Sequence, residues 1–295
     1  MSNHISVLIT GSSGLLGASL CELLKSDYKI TGGYYNNKPT IKGIDPIRFD
    51  ISDKSSCKRI LSKIKPDVIL HCAAITNMDL CETDKKLAYD VNTYGTKNIL
   101  ESINKDCHFI FISTDNVYNN GKQFNRENAK KNITNVYGET KRKAEQIIKN
   151  SNCKHTILRT NIFGWHFAGR KTGLLNFIYE NLKNHNEITL FHDVYFTPIS
   201  IPNLINGLIE IINRCITGTF NYSGSERLSK LDFGLIVADV FKLDDNLINS
   251  ISINEMNFKA KRPKEMSMSS SKISKYIKIP KKVHDQVIEL GLPNY

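Results

Sequence analysis

Tyr137 and Lys141 lie four residues apart in Val-Tyr-Gly-Glu-Thr-Lys; a Ser113-Thr114 pair and a Gly11-x-x-Gly14-x-x-Gly17 loop stand upstream. A phenol ionises near pH ~10 and exchanges protons poorly at neutral pH. A cation one helical turn away favours the phenolate and lowers that pKa. Positions i and i+4 share a helix face, so Lys141 can serve Tyr137 in this way. Its ammonium also has donors to spare for a ribose. Thr114 can donate a hydrogen bond to a substrate oxygen and polarise a carbonyl, or simply cap the end of a strand. Together these residues point to nicotinamide-dependent redox chemistry on a carbonyl or an alcohol.

The glycine loop makes sense only in context. Residues 5–10 read as a short buried strand, and 15–25 carry leucines at helical spacing, so the loop joins a strand to a helix. Gly11 then permits a tight turn, Gly14 lets a pyrophosphate approach the backbone, and Gly17 lets helix and strand pack closely. The helix N-terminus adds unpaired N–H groups and the positive end of a dipole. Sites that prefer NAD place an acidic residue after the second strand to hold the ribose 2′-hydroxyl. Here Thr31-Gly-Gly-Tyr-Tyr-Asn-Asn-Lys38 has no carboxylate, and Lys38 and Lys42 are near. The expectation is NADPH, with NADH accepted. Asp50-Ile51 could hold the adenine, or Asp50 could merely lead into the next helix. Asn92 is open to either a structural role or a proton relay.

These parts need a scaffold. Strands are expected at 28–35, 68–70, 108–113 and 155–160. Helices are expected at 53–64 (capped by Ser52 or Asp53), 84–103 and 136–149. Alternation of this kind means βαβ units and a parallel sheet. Beyond residue 160 the rhythm breaks: helices fit 171–183 and 201–213, strands fit 188–191 and 218–222, and 244–280 is irregular. The reading is a Rossmann-type α/β fold, a doubly wound parallel sheet with a smaller C-terminal lobe. Residues 1–160 form the dinucleotide-binding domain; 161–295 are mainly substrate-binding, with some segments returning to the first sheet.

Composition sets outer limits. The 295 residues are 40% hydrophobic and 23% charged, ordinary for a globular protein with a sizeable core. No apolar run approaches the ~20 residues of a membrane span, and the run at 5–10 is too short for a signal peptide. Seven cysteines at irregular spacing, with no C-x-x-C, argue against a disulfide framework or a zinc site. A cytoplasmic protein without a metal or membrane partner is expected. The net charge of +11 comes from dispersed lysines, and pairs such as Lys130-Lys131 and Lys281-Lys282 are too short for a nucleic-acid arm. Attraction of a phosphorylated substrate or cofactor is the simpler use of that charge.

The chain resembles the extended short-chain dehydrogenase/reductases, and among them the dTDP-4-dehydrorhamnose reductase group. The marks are Ile-Thr-Gly-Ser-Ser-Gly-Leu-Leu-Gly (9–17), His-Cys-Ala-Ala-Ile-Thr-Asn-Met-Asp-Leu-Cys-Glu (71–82) and Val-Asn-Thr-Tyr-Gly-Thr (91–96). Ser-Thr-Asp-Asn-Val-Tyr (113–118), Asn-Val-Tyr-Gly-Glu-Thr-Lys (135–141), Leu-Arg-Thr (158–160) and Arg262-Pro263 with Ser-Ser-Lys272 extend them over nearly the whole chain. The resemblance implies reduction of the 4-keto group of a nucleotide-linked 6-deoxy sugar, for surface polysaccharide precursors. It implies cofactor contacts at Gly14, Leu15, Leu16, Asp50, Ile51, Ala73 and Ala74; Ser13 and Cys72, beside them in the sequence, join the cofactor-binding candidates. Thr114, Tyr137 and Lys141 take the catalytic positions, with Asp115, Asn161 and Arg262 as substrate contacts; a homodimer is an allowed assembly. Three positions depart from the group's pattern. Asn116 stands where an aromatic is usual, Ile162 where a tryptophan is expected (Trp165 follows), and Ser269 replaces an aspartate. Two other readings stay open: a nucleotide-sugar epimerase or dehydratase of the same superfamily, and a regulatory subunit such as that of methionine adenosyltransferase.

Overall fold

A computed structural model describes residues 5–119, 121–167, 169–280 and 282–293; Lys281 lies outside them. The chain forms two compact units. Unit 1 comprises Met1–Ser113, Asn135–Leu158 and Glu210–Thr219, and unit 2 comprises Thr114–Thr134, Arg159–Ile209 and Phe220–Tyr295.

Unit 1 is built on a central sheet. Its strands are β1 (Ser6–Thr10), β2 (Lys29–Tyr34), β3 (Asp45–Arg48), β4 (Val68–His71), β5 (His108–Thr114) and β6 (His155–Thr160). With the strand Gly218–Asn221 they lie in the order Gly218–Asn221, β6, β5, β4, β1, β2, β3. β1 pairs in parallel with both β2 and β4, β2 with β3, and β4 with β5. This is the doubly wound Rossmann arrangement. Strand order reverses between β1 and β4, and the crevice at such a switch point is where these folds bind ligands. Val7, Leu8 and Ile9 of β1 and Ile69 and Leu70 of β4 are fully buried, as expected of strands covered on both faces.

The helices of unit 1 are α1 (Leu15–Leu24), α2 (Lys54–Ile64), α3 (Met78–Thr83), α4 (Lys85–Tyr89), α5 (Thr96–Leu100) and α6 (Val136–Lys149). Asp53, rather than Ser52, caps α2 by accepting from the Ser55 N–H. Two expectations need correction. β3 was not anticipated, because Asp-Pro-Ile-Arg is short and holds a proline. The proline is tolerated because β3 is the last strand of the sheet. The single helix expected over 84–103 is instead a broken series. Asn77 and Asp84 each cap a new helix start by accepting from the N–H groups of Leu80 and Leu87. Asp90–Gly95 then form a π-helical turn, a local widening that recurs at functional sites.

Unit 2 contains the helices Leu174–Lys183, Lys230–Phe241 and Val283–Leu290 and the start of Ile201–Asn213. Three short strand pairs accompany them: Ile248–Ile251 with Ile188–Phe191, Leu228–Ser229 with Tyr195–Phe196, and Ile199–Ser200 with Ile162–Phe163. Phe233 is the hub of the core, edge-on to Phe163 and Phe196 at 5.1 and 5.7 Å. Helix Lys230–Phe241 escaped the sequence reading because Leu-Asp-Phe-Gly-Leu-Ile-Val-Ala-Asp-Val-Phe is apolar nearly all round and offers no clean period. Among the described residues no helix is long and apolar enough to cross a membrane.

Candidate active site

The glycine loop follows β1 directly. Gly11 holds φ +69°, and a Cβ there would lie 2.9 Å from the Ala73 backbone; at Gly17 a Cβ would sit 2.1 Å from the Gly11 carbonyl oxygen. No side chain can be added at either place without moving backbone. The Ser12 hydroxyl donates to the Gly33 carbonyl at 3.0 Å, tying the loop to β2. Gly14, exposed, is the N-cap of α1 and supplies no side-chain acceptor. The Ala18 N–H closes the first helical bond onto the Gly14 carbonyl, so the N–H groups of the turn before it point outward, flanked by Ser13, Leu15 and Leu16. A glycine-walled helix start with an open first turn fits a dinucleotide pyrophosphate.

The other cofactor candidates lie at strand ends. Cys72, Ala73 and Ala74 leave β4 beside the Gly11 turn, with the Ala73 N–H donating to Thr10 Oγ1 at 3.2 Å. Burial pushes the Cys72 thiol up to about 12, so it is a neutral wall. His71 is clasped between Thr10 (2.7 Å) and Thr96 (3.0 Å). Burial, with Lys141 nearby, lowers it to about 3, so the ring stays neutral. Asp50 Oδ1 accepts from the Ser52 N–H (2.8 Å) and hydroxyl (2.7 Å). Ile51 is buried, its carbonyl accepting from Asn98 at 3.0 Å. Lys38 lies exposed in the loop after β2. The cation held at the end of β2 is one the sequence reading missed. Arg48 pairs with Tyr34 in the β2–β3 register, and its Nε donates to the Tyr35 carbonyl at 3.1 Å.

Asn92, left open by the sequence, has its amide fully spent. Its Oδ1 accepts from the Ile75 N–H (2.8 Å), and Nδ2 donates to the Ile75 carbonyl and Thr140 Oγ1, both at 3.0 Å. It clamps the segment after β4 to α6, which is a structural role.

Tyr137 and Lys141 stand one turn apart on α6. Asn135 caps this helix by accepting from the Gly138 N–H, and Glu82 accepts from the Val136 N–H at 2.8 Å. Lys141 is buried; its Nζ donates to the Ile112 carbonyl at 2.7 Å and lies 4.0 Å from the centre of the Phe111 ring. Burial lowers its pKa to about 8, with Cys72 and Glu145 opposing the shift, so it remains mainly an ammonium at neutral pH. Glu145, wholly buried, accepts from Ser113 Oγ at 2.8 Å and from Arg142 at 3.1 Å. Ser113 is thereby occupied in holding α6 to β5. Half-buried Tyr137 packs its ring in a cluster with Cys81, Ala88 and Val136.

Unit 2 carries a second constellation. Thr114 Oγ1 accepts from the Asn116 N–H at 3.1 Å, capping a short 3₁₀ turn, and donates to Asp115 Oδ1 at 3.3 Å. That donor bond is long for two oxygens. Asp115 is buried and also accepts from Asn116 Nδ2 at 3.0 Å and from Asn161 Nδ2. Burial pushes its carboxyl up, while Lys230 and these donors pull it down. Lys230, absent from the sequence-based candidates, is lowered to about 8 by burial, opposed by Asp115. Arg159, wholly buried, donates to the Tyr118 hydroxyl (2.7 Å) and the Glu127 carbonyl (3.1 Å), anchoring the segment that follows Asp115. Arg262 stacks over Phe258 at 4.8 Å. Trp165 belongs to the core, edge-on to Tyr179 at 5.3 Å with its Nε1 donating to the Gly291 carbonyl. Ser269 donates its N–H to the Asn125 carbonyl at 3.0 Å.

The profile of the RmlD substrate binding domain matches residues 5–291. The chain belongs to this family. Over 282 residues this RmlD-family chain is 28% identical to dTDP-4-dehydrorhamnose reductase of Aggregatibacter actinomycetemcomitans, covering 90% of the chain and 91% of that relative. It is 26% identical over 272 residues to the probable low-salt glycan biosynthesis reductase Agl14 of Haloferax volcanii, covering 90% of each. It is also 24% identical over 277 residues to methionine adenosyltransferase 2 subunit beta of Xenopus tropicalis, covering 91% of the chain and 81% of that protein. Among solved structures, a hypothetical dTDP-4-dehydrorhamnose reductase of Sulfolobus tokodaii superposes with a TM-score of 0.83 at 28% identity, covering 96% of this chain and 99% of that one.

Proposed function

We propose that this RmlD-family chain is an NADPH-dependent reductase of the 4-keto group of a nucleotide-linked 6-deoxy sugar, acting in the cytoplasm on precursors of a surface polysaccharide. One observation carries the proposal: a buried, protonated Lys141 one turn from Tyr137 in the same unit as a glycine-walled helix start. Similarity to two reductases of sugar and glycan synthesis supports the substrate class.

The bound dinucleotide supplies a hydride to C4. Everything else falls to the protein. Gly11, Gly14 and Gly17 bring the backbone to the pyrophosphate, Leu15 and Leu16 offer the first-turn N–H groups, and Ser13 borders them in the loop. Ile51 and Asp50 border the adenine, and Cys72 to Ala74 form an uncharged wall. Lys141 holds the nicotinamide ribose, and its charge favours the phenolate of Tyr137 over the phenol. Tyr137 therefore gives up its proton readily as the C4 oxygen gains negative charge. Thr114 orients the carbonyl; its long bond to Asp115 leaves its hydrogen easily redirected. Asp115, Asn161 and Arg262 contact the sugar. The test is net NADPH oxidation against 4-keto-6-deoxy sugars carried on dTDP, GDP, UDP or CDP, which also separates a reductase from an epimerase that recycles its cofactor.

The preference for NADPH rests on Arg48, whose guanidinium is tethered at the end of β2 where no carboxylate stands. An arginine so placed accommodates a 2′-phosphate. Arg48→Ala is expected to weaken NADPH binding roughly 10-fold or more, the value of a charged hydrogen bond, and to leave NADH binding unchanged. Titration of intrinsic fluorescence with each dinucleotide measures this. Equal weakening of both would reduce Arg48 to a support for Tyr35.

A regulatory-subunit reading draws support from the similarity to methionine adenosyltransferase 2 subunit beta. It differs in needing no proton transfer from Tyr137.

A further inference from the structure

Lys230 is the first residue of the helix Lys230–Phe241, whose N-terminus is held by a reciprocal capping box between Ser229 and Asp232. A helix start is the positive end of the dipole and disfavours a cation. The half-buried side chain finds little relief locally. Its Nζ lies 3.2 Å from the centre of the Phe196 ring, and among the described residues it makes no hydrogen bond and no ion pair within 4.0 Å. Three ammonium donors are thus unspent beside an aromatic face, where cation–π attraction offsets part of the lost hydration.

The charge that acts on Lys230 is Asp115. Beside that carboxylate the Asn116 Oδ1 oxygen is buried and has no hydrogen-bond partner among the described residues. Buried polar atoms normally find partners, so unspent donors and an unspent acceptor ask for a ligand that both gives and takes hydrogen bonds. A hydroxyl does both. A phosphate only accepts at neutral pH when fully ionised, and the Asp115 carboxylate would repel it.

We propose that Lys230 is a substrate-binding residue which, with Asp115, grips a sugar hydroxyl: the ammonium donates to the hydroxyl oxygen, and the carboxylate accepts the hydroxyl hydrogen. The inference rests on the reductase reading for the identity of the ligand as a nucleotide sugar. It adds a further residue that recognises the sugar separately from the nucleotide.

Calorimetric titration of wild type and Lys230→Met with a dTDP-6-deoxyhexose, and separately with dTDP, tests this. Lys230→Met is expected to weaken the nucleotide sugar about 10-fold, as the loss of one charged hydrogen bond would, and to leave dTDP within a factor of two. Lys230→Arg is expected to recover part of the loss. Because the ammonium makes no hydrogen bond and no ion pair among the described residues, and methionine keeps an apolar contact with the Phe196 ring, the thermal midpoint of Lys230→Met should stay close to wild type. Unchanged affinity for the nucleotide sugar overturns the inference while leaving the reductase reading in place. An equal loss for sugar and dTDP also overturns it, by making Lys230 a phosphate ligand. Failure of wild type to bind any nucleotide sugar sinks the reductase reading, and this inference with it.

Discussion

Tyr137→Phe is expected to lower kcat for the keto-sugar about 10³-fold, within the 10²–10⁴ range of general acid–base catalysis. The affinity for NADPH should stay within a factor of two. The substitution removes one hydroxyl and leaves the ring in its cluster with Cys81, Ala88 and Val136, so the packing of the ring should be kept. The size of the effect follows from charge. Hydride arrival turns the C4 carbonyl into an alkoxide, and with the phenol gone that charge must wait for water. Lys141 does not take over, because its place is on the nicotinamide ribose, with one donor already given to the Ile112 carbonyl at 2.7 Å. Steady-state kinetics with a fluorescence titration of NADPH separate the two quantities. A Tyr137→Phe protein with full turnover would remove the proton donor from the account. Full biological function without turnover would favour the regulatory reading.

Gly17→Ala is expected to be the most damaging substitution in the nucleotide cradle. The new Cβ would lie 2.1 Å from the Gly11 carbonyl oxygen and 3.0 Å from the Ser12 Cα, so α1 must be pushed off β1 or the loop must open. Overpacking of this kind costs about 1–3 kcal/mol, occasionally more, and the rigid backbone neighbours put this site at the upper end. Displacement of the helix start also moves the N–H groups meant for the pyrophosphate. NADPH affinity should therefore fall roughly 100-fold, a misplacement effect. Gly14→Ala, with a Cβ at 3.3 Å from the same oxygen, should be clearly milder in stability. Chemical denaturation and NADPH titration of both variants check the order. A Gly17→Ala protein as stable and as tight-binding as wild type would contradict the cradle.

What the sequence disclosed and what it hid divide along a physical line. β1, the glycine loop and α1 are contiguous, so an apolar run, a glycine spacing and a leucine period suffice to read them. Tyr137 and Lys141 are legible for the same reason: i and i+4 on one helix are neighbours wherever the helix lies. Arg48 was not legible, because it gains its place only through the pairing of β2 with an edge strand that contains a proline. The breaks between residues 77 and 96 depend on caps from Asn77 and Asp84 and on Asn92 reaching to Ile75 and Thr140. Lys230 was the hardest to see. Its helix lacks a polar face, and its counter-charge is the distant Asp115. The three departures Asn116, Ile162 and Ser269 stand out only against a family pattern. Of these, Asn116 lies in the polar cluster around Asp115.

The central claim is that this protein spends NADPH to reduce a sugar carbonyl. The most direct measurement is NADPH oxidation by the purified protein, followed by absorbance, against 4-keto-6-deoxy sugars linked to dTDP, GDP, UDP and CDP. The account predicts that at least one is reduced with one NADPH consumed per sugar and the 4-hydroxy product formed. No oxidation with any of the four, or conversion of sugar without net NADPH consumption, would contradict it.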